Sequence, residues 1–179
     1  EECWYLFGHT CSVLNLDLNF ELSAYGDHLL SNPKTMHRAY KEYKQVLELI
    51  SNQDPDRRLV LKCPEHLWFM DSLLKTFPDS LVVWTHRDPL KSIASYCSMN
   101  SLFQRLYFGD VNLESLGAHI TRRFCQGLKR ASLATSKWPE RVYDVRYEDL
   151  VKDPFSIVQT ILKRTGVDVC PFHGRSRVM

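Results

Sequence analysis

Long apolar runs are missing. The longest hydrophobic stretches of this 179-residue chain are interrupted by charge before reaching the ~18 to 20 residues that a membrane span needs, so no transmembrane helix is expected. The basic-then-apolar order of a signal peptide is missing too. The chain starts at Glu1, so a targeting or anchor segment upstream would leave no trace in it. The six cysteines, Cys3, Cys11, Cys63, Cys97, Cys125 and Cys170, form no CxxC pair and have no histidines at zinc-ligand spacing. They read as free thiols of a reducing compartment, which predicts a cytoplasmic location and no metal cofactor. A formal charge of +2, with basic residues scattered along the chain, excludes the basic arm of a nucleic-acid binder. Any anion site must be local.

What is present is an ordinary globular composition, 44% hydrophobic and 25% charged. A chain of this length buries roughly two-thirds of its unfolded surface, enough for a single domain spanning residues 1–179. No repeat or low-complexity segment interrupts it.

The first clear element starts at Ser31-Asn32-Pro33, where Asn32 is placed to cap and Pro33 suits the first helical turn. Met36, Tyr40, Tyr43, Leu47 and Ile50 then recur at helical spacing, which predicts one buried face. After a turn-rich stretch from Ser51 to Arg57, the short apolar run Leu59-Val60-Leu61 reads as a strand buried on both faces. A helix with Leu67, Met70, Leu74 and Phe77 on one side follows, ended by Pro78-Asp79. Leu81 to Trp84 read as a second buried strand, with a helix starting at Asp88-Pro89. Residues 111–136 read as helix and Val142 to Val145 as a third strand. The last helix has Asp153 as cap, Pro154 in its first turn, Ile157, Val158, Ile161 and Leu162 facing inward, and Gly166 past its end. Strands alternating with helices imply a parallel sheet in a layered α/β fold, with ligands at the carboxyl ends of the strands.

Unusual residues stand at those ends. Thr85-His86-Arg87-Asp88-Pro89 closes the second strand and starts a helix. At 100° per residue, Leu90, Ile93, Ala94 and Cys97 share one side of that helix, while Ser92 and Ser95 lie with Asp88 on the other. The planar donor fork of Arg87 and the hydroxyl of Ser95 suit a phosphate; the alternative is an arginine paired with a carboxylate beside solvated serines. After the first strand, Lys62-Cys63-Pro64-Glu65-His66 puts a lysine at a strand end, where it is costly to bury unpaired and where a point charge suits a group being transferred. His66, expected in the first turn of the next helix, is either an acid-base group or a hydrogen-bonded structural histidine. Tyr147, past the third strand, is either a ring for a purine to pack on or a core tyrosine.

These segments resemble the sulfotransferase family, in the branch that reads K-x-P-x-H, F-P-D-x, T-H-R-D-P and Y-E-D-L-x-x-D-P. Here they stand as Lys62 to His66, Phe77 to Ser80, Thr85 to Pro89 and Tyr147 to Pro154, and the resemblance spans roughly residues 33–166. It implies a three-layer α/β/α fold with a mainly parallel sheet, of the P-loop nucleoside triphosphate hydrolase-like kind, incomplete at its N-terminus. It also implies 3′-phosphoadenosine 5′-phosphosulfate as co-substrate, with no metal. Arg87 and Ser95 match in type and spacing the family's ligands of the donor 3′-phosphate, Tyr147 its adenine contact, and Lys62 the lysine that stabilises the sulfuryl group. Better-known cytosolic members place a base histidine two residues after that lysine; here Pro64 stands there, and His66 is a displaced candidate. The family's phosphosulfate loop has no counterpart in residues 1–30, and its glycine-containing closing segment none in Cys170 to Met179.

The implied activity is sulfuryl transfer to a hydroxyl or amine of a small-molecule, carbohydrate, lipid or peptide acceptor. The alternatives are a non-catalytic or truncated binding protein of the same fold and a small-molecule kinase-like nucleotide transferase; the latter needs a phosphate loop and magnesium carboxylates.

Overall fold

The computed structural model describes residues 3–51 and 58–166, so Cys170 and the tail beyond it lie outside the described residues. Two compact units divide the chain: Glu1–Ser80 with Pro89–Pro139, and Leu81–Asp88 with Glu140–Met179.

The first unit is helical. In chain order it holds α1 (Trp4–Phe7), α2 (Leu14–Phe20), α3 (Ser23–Ser31), α4 (Pro33–Ser51), α5 (Met70–Thr76), α6 (Pro89–Phe108) and α7 (Leu113–Thr135). The helical spacing in α4 does what it predicts: Met36, Tyr40, Tyr43 and Leu47 are buried, and only Ile50, near the last turn, is exposed. With Phe7, Leu14, Leu18, Leu29, Trp68, Leu116 and Ile120 they form the apolar core. Asn32 does not use its side chain to cap α4. Its amide nitrogen turns back to donate to the His28 carbonyl at 2.7 Å, closing α3, while its own carbonyl accepts from Thr35 and Met36. Asn112 is the side-chain cap of α7, accepting from Glu114 and Ser115.

An ion network centred on the buried Asp17–Arg123 pair ties α2 and α3 to α7. Arg123 donates from Nε to Asp17 at 2.7 Å, from Nη1 to Asp27 at 2.6 Å and from Nη2 to the Ser23 carbonyl at 3.0 Å. Burial acts to raise the Asp17 pKa, yet the hydrogen bonds of His119 and Arg123 hold it below the ordinary carboxylate value. Gly26 is a required glycine here, because a Cβ on it would clash with the Asp17 carboxylate.

The second unit carries the sheet. Strands β1 (Val82–His86) and β2 (Val142–Arg146) pair in parallel, from Val82 opposite Val142 to His86 opposite Arg146. Helices α8 (Tyr147–Lys152) and α9 (Pro154–Arg164) follow β2 directly. Asp153 caps α9 as its sequence predicts, accepting from Ser156 N at 3.1 Å, and Gly166 beyond the end takes a φ of 66°.

Two strand expectations are corrected. Leu59-Val60-Leu61 forms no strand among the described residues; Lys62 alone makes an isolated bridge, and Val60 is 98% exposed. An apolar run becomes a buried strand only where neighbours supply both edges and both faces, and no described strand pairs with this one. β1 is a strand, but its residues are half-buried or exposed instead of buried. The inward face expected of α9 is only half-buried, with Val158 exposed. Leu90 and Ala94, expected on the core side of α6, are exposed too, whereas Ile93 and Cys97 pack on the core.

Candidate functional site

At the carboxyl end of the β1–β2 pair, register places Arg87 and Tyr147 side by side, one residue beyond His86 and Arg146. The Arg87 guanidinium lies 4.8 Å from the centroid of the Tyr147 ring. Both side chains are exposed, so the stack is open to a ligand from solvent. On the same two strands, His86 Nε2 and Asp144 Oδ1 are 2.6 Å apart, and the Trp84 and His86 rings are 4.7 Å apart. Arg164 of α9 covers the Tyr143 ring at 4.5 Å. His86 reaches Asp144 because residue 144 is the partner of residue 84, two positions earlier on the same face of β1, a relation set by strand register.

Ser95 is exposed on α6, two turns after Pro89, so its hydroxyl is presented to solvent as the helical phase predicts. Ser92 is half-buried.

Lys62, Glu65 and His66 share one turn of the first unit. Lys62 is exposed, so the cost of burying a lysine does not bear on it; the Cys3 amide donates to its carbonyl at 3.1 Å. Pro64 opens a short 3-10 turn, Pro64–Leu67, and His66 therefore sits before α5 and not in its first turn. The His66 ring packs among Phe7, Tyr40 and Tyr43, with Nδ1 2.8 Å from the Tyr40 hydroxyl. Burial in this aromatic nest lowers its pKa to about 4, and burial raises that of Tyr40, so both are neutral at pH 7.

Glu65 is the residue that the sequence reading passed over. Its carboxylate is buried and accepts from the backbone of Leu14 at 2.5 Å and of Asn15 at 3.4 Å, across fifty residues of chain. Burial raises its pKa to about 7, against those two hydrogen bonds. No local signal marks it, because a glutamate in a turn reads as surface charge. Among the described residues no group of His, Cys, Asp and Glu is placed to hold a metal ion.

The family model described as "Sulfotransferase family" matches residues 6–171. The chain belongs to the sulfotransferase family. Among solved structures it is similar to sulfotransferase STF1 from Mycobacterium tuberculosis H37Rv, with 31% identity and a TM-score of 0.85 over 96% of this chain and 47% of that one. Sulfotransferase STF9 from Mycobacterium avium, at 24% identity and a TM-score of 0.84, covers 96% of this chain and 44% of its own and shows the same fold. The chain thus spans about half the length of the sulfotransferases it matches. A search of curated proteins returned no match. The α/β sulfotransferase fold expected from the sequence is borne out, in a helix-rich form with a small parallel sheet. Five of the six cysteines lie within the described residues, and none of these five is in a disulfide. No helix among those residues is long and apolar enough to cross a membrane.

Proposed function

We propose that this chain supplies donor-binding and charge-stabilising residues for the transfer of a sulfuryl group from 3′-phosphoadenosine 5′-phosphosulfate to a hydroxyl or amine acceptor. The observation that carries the reading is the Arg87–Tyr147 stack at the carboxyl end of the sheet. A guanidinium held over an aromatic ring offers a phosphate its donor fork and, beside it, a flat surface for a purine. In the proposal Arg87 and Ser95 hold the donor 3′-phosphate and Tyr147 contacts adenine, as their counterparts do in the family.

In the reaction the acceptor oxygen or nitrogen attacks sulfur while the bond from sulfur to the bridging oxygen breaks. Adenosine 3′,5′-bisphosphate leaves with that bond's electron pair, and the acceptor gives up one proton. The Lys62 ammonium balances charge on the bridging oxygen, so catalysis is mainly positioning and electrostatics. His66 remains the displaced base candidate. Its ring is unprotonated at pH 7, as a base must be, but a pKa of about 4 makes it a weak one. Charge stabilisation by Lys62 is therefore the larger part of the proposed catalysis.

A second reading, donor binding without transfer, is supported by the exposure of Leu59, Val60 and Leu61 beside Lys62. A radiolabelled-donor assay with phenol, lipid, carbohydrate and peptide acceptors separates the two. Transfer is expected, with turnover lowered about a hundredfold in Lys62→Ala and donor affinity kept within a few-fold. Donor binding without transfer selects the second reading, and loss of donor binding altogether rejects both.

A further inference from the structure

Lys62 and His66 lie at the two ends of a five-residue turn that has little regular structure of its own. Something else must fix it. Its beginning is tied at the backbone, where the Lys62 carbonyl accepts from Cys3, and its end at the ring of His66, which meets Tyr40. Between them the only long side chain turned into the protein is that of Glu65, 5% exposed. Both of its oxygens accept backbone amides, Leu14 N on Oε1 and Asn15 N on Oε2, at the start of α2.

This arrangement is specific. The first amides of a helix have no partner within it, so a carboxylate with two acceptor oxygens satisfies a pair of them at once. Glutamine offers one acceptor and would turn its NH2 toward the other amide, and aspartate is one methylene short. The anchor therefore sets how far the Lys62–His66 turn stands from α2.

We propose that Glu65 is a positioning residue for sulfuryl transfer, its carboxylate bracing the turn that carries Lys62 against the backbone of Leu14 and Asn15. The inference rests on the proposed role of Lys62. Glu65 touches no donor or acceptor in this account and acts through the placement of the lysine. A displacement of about 1 Å at a charge that stabilises a transition state is felt in turnover, on the order of tenfold to a hundredfold, and little in the affinity of the remote donor anchor. The Glu65 charge is felt at the hydroxyls of Tyr25 and Tyr40, whose pKa values burial and that charge both raise, so both stay protonated and neutral.

The test uses the full chain and the near-isosteric Glu65→Gln, with Glu65→Asp and Lys62→Ala alongside. In Glu65→Gln turnover falls about tenfold or more, affinity for adenosine 3′,5′-bisphosphate stays within twofold, and Glu65→Asp does not rescue. Wild-type turnover is expected to fall as pH drops through about 7 and the Glu65 carboxylate takes up a proton, and Glu65→Gln removes that acid limb. Amide hydrogen exchange at Leu14 and Asn15, which needs no turnover, accelerates at least tenfold in the variant. Unchanged exchange at both amides overturns the proposal, as does unchanged turnover with an intact acid limb. Equal losses in turnover and bisphosphate affinity also overturn it, since a general loosening of the fold produces that. Normal turnover in Lys62→Ala instead rejects the role of Lys62, while accelerated exchange in Glu65→Gln would still show the brace.

Discussion

Glu65 and His66 are consecutive residues whose burial moves their titrations in opposite directions, the carboxyl up to about 7 and the imidazole down to about 4. For Glu65 the folded state binds the proton more tightly than the unfolded one, so its contribution to stability is greatest in acid and is lost as pH rises from about 4.5 to about 7. For His66 the folded state binds it less tightly, so stability is lost as pH falls from about 6.5 through about 4. Each shift corresponds to roughly 3 kcal/mol. Over the pH range they share, the two slopes oppose one another and nearly cancel.

Substituting either residue should expose the other. In Glu65→Gln, urea denaturation followed against pH should show stability falling toward acid by a few kcal/mol between about pH 6.5 and 4. In His66→Phe it should fall in the opposite direction, toward neutral pH. Flat profiles in both variants would contradict the assignment of burial as the cause.

The Asp17–Arg123 pair makes a sharper demand on one position. Gly26→Ala places a methyl against Asp17 Oδ2 and 2.7 Å from Arg123 Nη2, neither of which has room to move in a fully buried pair. The expected loss is about 3 kcal/mol or more in denaturant unfolding, comparable with breaking a buried ion pair by removing one partner. A loss below about 1 kcal/mol would mean that the network can shift.

At α9 the prediction is milder. Asp153→Ala removes the acceptor for Ser156 N and should destabilise the helix by about 1 kcal/mol, read as faster amide exchange in its first turn. Asp153→Asn should recover most of it.

The parts of this structure that were legible in the sequence are those governed by local rules. The buried face of α4 follows from helical spacing, the start of α9 from Asp153-Pro154, and the placement of Arg87 and Tyr147 from two strand ends. Leu59 to Leu61 misled because an apolar run carries the same signal whether or not neighbouring strands cover it. Asp17 and Arg123 could not be paired in advance, since 106 residues separate them and only the packing of α2 on α7 joins them. Glu65 was hidden for the same reason. Its partners are backbone amides, which no side-chain motif records.

The central claim is that the Arg87–Tyr147 stack binds the 3′-phosphoadenosine end of the donor, and calorimetric titration tests it most directly. Adenosine 3′,5′-bisphosphate should bind without metal, whereas ATP with magnesium should bind much more weakly or not at all. Arg87→Ala should weaken the bisphosphate at least tenfold, the scale of a charge-assisted hydrogen bond lost. Equal binding of both nucleotides, or bisphosphate affinity unchanged in Arg87→Ala, would contradict the account.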